Sequence, residues 1–181
     1  MSRARSRDSG AAAVEFALLL PVFLMLTFGM ISAGFAFWHN IALTQGARDA
    51  ARLGSTYPIG TGTGALPMSD WLDTVAGVAA KGAGWDWTDP LTNNVASVDN
   101  GYICVAYIAG NGDTLTSSLK SYGVTAGASL PGDGRCFDDG TRSDSRVQVV
   151  VQRNADFNLI IFNTTLRLST QSVMPYERLQ S

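Results

Sequence analysis

The sequence predicts an α+β protein, a long N-terminal transmembrane α-helix attached to a small antiparallel-sheet domain. Three observations carry that expectation. Residues Phe16 to Trp38 form a run of 23 without a charged side chain. Helical apolar spacing then continues to Leu53. Later segments, chiefly 146–152 and 165–173, alternate apolar and polar residues with the period of a half-buried strand. A chain of 181 residues has room for one modest domain and an appendage.

The N-terminal helix comes first. Arg3, Arg5 and Arg7 against Asp8 give the first ten residues a net charge of +2, within a chain of net charge −2. A basic head, an apolar run and a mildly acidic body fit membrane targeting, and nothing marks a nucleic-acid binder. As a helix the run spans about 34 Å, enough for a hydrocarbon core of roughly 30 Å. Twelve of its residues are Leu, Ile, Phe or Val. They favour insertion by roughly 4–7 kcal/mol, against a cost of about 3 kcal/mol for a central acid. Glu15 sits at the edge, where it costs less, so insertion wins. The arginines set the head in the cytoplasm and the body outside. Two plainer readings stand beside this one. The first is a cleaved secretory signal ending at Ser32-Ala33-Gly34 or Gly34-Phe35-Ala36, although the run is long for that and holds Glu15. The second is a signal anchor with an incidental glutamate.

Leu43, Ala47, Ala50 and Ala51 recur at i, i+4, i+7 and i+8, so the helix continues past the membrane. Gly54 and Pro58 stop it. Ala11 to Leu53 would span about 64 Å, with Pro21 expected to bend the helix near Ala17–Pro21. The pairs Gly29/Ala33 and Ser32/Ala36 place small residues one turn apart, as close helix packing requires.

Residues 55–68 read as a Gly/Pro loop. A short helix follows, with Ser69 as its cap, Asp70 at its positive end, Leu72, Val75, Ala76 and Ala79 on one face, and Lys81-Gly82 at its close. Trp85 and Trp87 are expected in the core. Residues 95–98 and 102–108 read as a hairpin around Asn100-Gly101. Residues 114–122 are ambiguous, and 124–145 form a loop rich in Gly and Asp. Two strands close the chain, 146–152 with Val147, Val149 and Val151 on one face, and 165–173 with Leu166 and Leu168 on one face.

Cys104 and Cys136 are the only cysteines, and both fall outside the membrane run. In an oxidising compartment they default to one disulfide, with two free thiols as the alternative. No catalytic constellation is found, and no cofactor or metal site is expected. Two cysteines and one remote histidine do not make a zinc set. His39 reads as an interfacial residue beside Trp38. Asp133, Asp138, Asp139 and Asp144 lack EF-hand spacing and read as a solvated loop. Asn163-Thr164-Thr165 matches the glycosylation pattern, with no reason to expect its use.

One pattern remains. Basic residues precede Gly10, Ala11 follows it, and four small or apolar residues later stand Glu15-Phe16 at the head of the apolar helix. This resembles a type IV prepilin signal. The resemblance implies cleavage after Gly10 by a prepilin peptidase on the cytoplasmic side. It also implies pairing of Glu15 with the new N-terminal amine of a neighbouring subunit. "AAAVEFALLLPVFLMLTFGMISAGFAF", followed by "ALTQGARDAARLGS", is similar to TadE-type minor pilins of the tight-adherence (Flp/Tad) system. The tail "SRVQVVVQRNADF", "NLIIF", "LRLSTQSVMPYE" resembles the closing strand and Val-Met-x-x-Glu ending of that family. The middle, residues 55–144, resembles it weakly.

The resulting expectation is a structural, non-enzymatic minor pilin or pseudopilin, single-pass in a bacterial inner membrane. Residues 1–10 would be a basic prepilin leader, 11–38 the transmembrane helix, 39–54 its continuation and 55–181 an extracytoplasmic α+β domain. Its partners would be the prepilin peptidase, other pilins or pseudopilins of a Tad-type apparatus, and membrane lipid. The alternative is a membrane-anchored extracytoplasmic binding domain unrelated to a filament.

Overall fold

A computed structural model describes residues 5–60, 62–85, 101–110, 117–123, 135–140, 143–158 and 163–177. Helix α1 (Arg5–Thr56) runs unbroken through Pro21. It starts earlier than the expected Ala11, because extending an existing helix costs little once its nucleus is formed. At 52 residues it is about 78 Å long. Helix α2 (Met68–Gly82) follows. The strands are β1 (Gly101–Ile108), β2 (Ser117–Gly123), β3 (Arg146–Asn158) and β4 (Asn163–Pro175). They form one antiparallel sheet in the order β2-β1-β3-β4.

The sequence expectations for α2 hold except at its start. Pro67 occupies the N-cap position and no side chain caps the helix. Ser69 instead donates its hydroxyl to the Asp70 carboxylate at 3.0 Å. The first-turn N–H groups thus have no side-chain cap, and the Asp70 carboxylate supplies the favourable negative charge at this end. At the other end the Ala83 N–H donates to Ala79 O, and Gly84, with φ of 78°, donates to Lys81 O.

Both helices pack on one face of the sheet. Ile103 and Val105 of β1, and Val147, Val149 and Val151 of β3, meet Leu43, Ala47, Ala50 and Ala51 of α1. Trp71, Leu72, Val75, Ala76, Ala79 and Ala80 of α2 complete this core. The two helices touch through glycines. A Cβ added to Gly46 would lie 2.8 Å from Ala79 O and 2.9 Å from Ala83 N, so only glycine permits this approach. Tyr122 of β2 donates to Asp73 of α2, and Lys120 Nζ reaches the same carboxylate at 2.5 Å. Burial, and then Asp73, hold the Tyr122 phenol well above its ordinary pKa.

The C-terminal tail fixes the body to the end of α1. The Glu177 N–H donates to Ser55 O at 2.9 Å, and the Tyr176 N–H donates to Ser145 O at 2.7 Å. The Tyr176 hydroxyl accepts from the Ile59 N–H and donates to Tyr57 O. Its ring stands edge-on to Tyr107.

Among the described residues β1 pairs with β2 and β3, and the ambiguous stretch 114–122 supplies β2. Residues 95–98 and Trp87 lie outside the described residues. Trp85 is half-buried against the core, with Arg153 over its ring.

Candidate functional site

Two regions carry the chemistry singled out by the sequence. The first is the N-terminal half of α1. Gly10, Ala11, Glu15 and Phe16 all lie on this helix and all are exposed. Ala11 and Glu15 are four residues apart, so they share a helix face. A Cβ at Gly10 would meet nothing within 4 Å. From Val14 to Ile41 the large apolar side chains are exposed, including Phe16 at 64% and Phe37 at 70%. A soluble domain rarely leaves such a surface bare, so this length of helix has its partner outside the chain. Among the described residues, one helix is long and apolar enough to cross a membrane, and none of its most apolar window is buried.

The helix changes character at Leu43. From there its apolar face is fully buried under the sheet and α2. One element therefore serves two solvents, with its N-terminal part bare and its C-terminal part packed in the body.

Both parts of the helix fall within one family match. Residues 10–52 match the family described as TadE-like protein. The N-terminal helix is similar to that of TadE-like proteins. The match begins at Gly10 and ends at Arg52, so it covers nearly all of α1 and none of the sheet. Comparison with curated proteins and with solved structures gives no match. The helix fits a single-pass membrane anchor.

The second region is a clasp on the other face of the sheet. Cys104 of β1 and Cys136 are joined by a disulfide, 32 residues apart in sequence, with Cα atoms 5.8 Å apart. The segment 135–140 thereby crosses the sheet and covers Tyr102, Cys104, Ala106 and Val150. Gln148 of β3, fully buried, holds this segment as a second backbone would. Its Oε1 accepts the Cys136 N–H and its Nε2 donates to Phe137 O, both at 3.1 Å.

Arg146, also fully buried, grips Asp139 through Nε at 2.6 Å and Nη2 at 2.9 Å. Its Nη1 donates to Asp144 O. Burial pushes the Asp139 carboxyl up, but the hydrogen bonds from Arg146 and Gln148 and the Arg146 charge outweigh it. The carboxyl ends below its ordinary range. The expectation of a solvated acidic loop fails at Asp139, whose side chain is only 6% exposed, and holds at Asp138, 83% exposed, and at Asp144; Asp133 lies outside the described residues.

Sequence reasoning paired the cysteines but missed Gln148 and Arg146. They alternate with Val147 and Val149, so they read as the solvent face of a strand. The available signal was the disulfide itself. A bridge to Cys104 must carry its loop across the outer face of β1 and β3, and polar residues beneath it then need partners. Among the described residues, no group of three or more His, Cys, Asp or Glu is placed to hold a metal ion.

Proposed function

We propose that the protein is a minor pilin or pseudopilin that takes part in assembly of a Tad-type (Flp) adhesion pilus. It is inserted in the bacterial inner membrane, with its N-terminus cytoplasmic and its body extracytoplasmic. A prepilin peptidase trims it after Gly10. The observation that carries this reading is the bare apolar length of α1, headed by Gly10 and Glu15 within the TadE-like match.

Glycine is the weakest ordinary helix former, by about 1 kcal/mol relative to alanine. Gly10 is therefore a weak point at the head of α1, where the helix can open to a peptidase. Cleavage creates a positive amine at Ala11. Glu15 of an adjacent subunit can pair with it, offsetting the cost of holding both charges near lipid.

The test uses the full chain co-expressed with a prepilin peptidase and its pilus partners. The membrane-bound product should begin AAAVEF. Glu15→Val should still insert and be cleaved, yet lose co-purification with other pilins and reduce surface pili. An intact Met1 terminus beside an active peptidase, or wild-type piliation by Glu15→Val, would overturn the corresponding part of the reading.

A further inference from the structure

The two sulfurs of the clasp are not equivalent. Cys104 stands on β1, a strand paired on both sides, opposite Ser121 of β2 and Val150 of β3. Its side chain is fully buried on the outer face of the sheet. Cys136 lies above that face, in a segment that belongs to no strand. It is 8% exposed, and Asp138 and Gly140 of the same segment are exposed. Moving Cys104 unpairs the middle of a four-stranded sheet. Moving Cys136 releases side-chain bonds from one strand, those of Gln148 to the Cys136 N–H and the Phe137 carbonyl, and that of Arg146 to Asp139. Local opening follows the cheaper route, so the segment lifts while the sheet stays paired.

Thiol–disulfide exchange adds a directional constraint. A thiolate enters the antibonding orbital of an S–S bond from behind the sulfur it attacks, so attacking, central and leaving sulfurs lie close to one line. When the Cys104–Cys136 bond forms, one cysteine sulfur attacks and the other carries the leaving group on its far side. The far side of Cys136 lies away from the sheet. The far side of Cys104 is the sheet itself, with Val105, Val149 and Val151 of the core beneath. A leaving group there would have to occupy packed backbone and side chains.

We infer that Cys136 is the entry point for an external disulfide and that Cys104 is the resolving thiol. In the first step the Cys136 thiolate attacks one sulfur of the external disulfide, whose S–S bond breaks, and one thiolate leaves. In the second the Cys104 thiolate attacks the Cys136 sulfur and expels the other. The pair of cysteines gives up two electrons and two protons, and the external disulfide becomes two thiols. Gln148 and Arg146 are positioning residues. Through the backbone at Cys136 and Phe137, and through Asp139, they return the lifted segment to the place from which Cys104 reaches Cys136. Both stand on β3, so this grip exists once β3 is paired in the sheet, and closure follows the sheet. This chemistry is independent of the pilus reading.

The experiment uses the full chain in nanodiscs, with glutathione disulfide as the probe. The reduced wild-type chain is mixed with the probe and quenched in acid at intervals, and the attached glutathione is located by peptide mass spectrometry. The transient adduct should sit on Cys136. Glutathione on Cys104, or on both positions alike, overturns the inference. In concentrated urea, with the sheet open, both positions should react alike; a preference that persists there belongs to the local sequence and overturns the structural assignment. Gln148→Leu should lengthen the lifetime of the Cys136 adduct several-fold, and an unchanged lifetime overturns the positioning role. Single-cysteine chains give the equilibrium reading. An adduct on Cys104 holds the segment off the sheet and forfeits the two Gln148 hydrogen bonds, so Cys136→Ala should need a ratio of glutathione disulfide to thiol about tenfold higher than Cys104→Ala for half-conversion. Equal midpoints in the folded chains overturn the inference.

Discussion

Replacing Gly46 with alanine should destabilise the body, although the same change strengthens an isolated helix. The helix-propensity gain is about 1 kcal/mol. Against it, the new Cβ would stand 2.8 Å from Ala79 O and 2.9 Å from both Ala83 N and Gly82 C. All three are backbone atoms of α2 and its end, so no side chain can swing aside. The helices must part by several tenths of an ångström, across a core that includes Ala47, Ala50, Val75 and Ala79. Overpacking of this kind costs about 1–3 kcal/mol. The net expectation is a loss of about 1–2 kcal/mol, the repulsion outweighing the propensity. Urea unfolding of the full chain in nanodiscs, followed by tryptophan fluorescence, would read this as a midpoint lowered by about 1 M. Gly62→Ala is the control, because a Cβ there meets nothing within 4 Å and the change should stay within about 0.5 kcal/mol. An unchanged or raised midpoint for Gly46→Ala would refute the argument that backbone contact sets the α1–α2 distance.

The clasp gives three further expectations. Cys104→Ala combined with Cys136→Ala opens a loop of 32 residues and should cost about 3–4 kcal/mol, read in the same urea assay. A loss below about 1 kcal/mol would show that Gln148 and Arg146 hold the segment unaided. Gln148→Leu should cost about 1–3 kcal/mol, because the Cys136 N–H and the Phe137 carbonyl lose their partner; near-neutral behaviour would mean that the segment re-pairs elsewhere. Asp139 has a lowered folded pKa, so its stabilising contribution is complete above the ordinary carboxylate range and lost as pH falls through the folded value. Asp139→Asn should therefore be less stable at neutral pH and show a shallower acid limb. An acid limb as steep as wild type would assign that slope to other carboxylates.

Much of this architecture is legible in the chain because it depends on local period and composition. The 23 uncharged residues from Phe16 to Trp38 require an apolar medium whatever the rest of the chain does. Leu43, Ala47, Ala50 and Ala51 lie at helical spacing, and all four are fully buried. Val147, Val149 and Val151 alternate, and they share the face that meets the helices. The Gly10–Glu15 spacing is likewise a one-dimensional pattern, and the TadE-like match begins there.

What needed the tertiary structure is everything that depends on residues distant in sequence meeting. β2, with only Leu119 and Tyr122 as large apolar residues, has little strand signal of its own; pairing with β1 makes it a strand. Gly46 reads as a weak point in a helix until Gly82 is found against it. Arg146 and Gln148 read as surface until the disulfide draws residues 135–140 over them. A period reports which face a residue shares, whereas burial depends on what lies across from that face. For the outer face of β3 the answer came from Cys136, twelve residues before Gln148 and outside any strand.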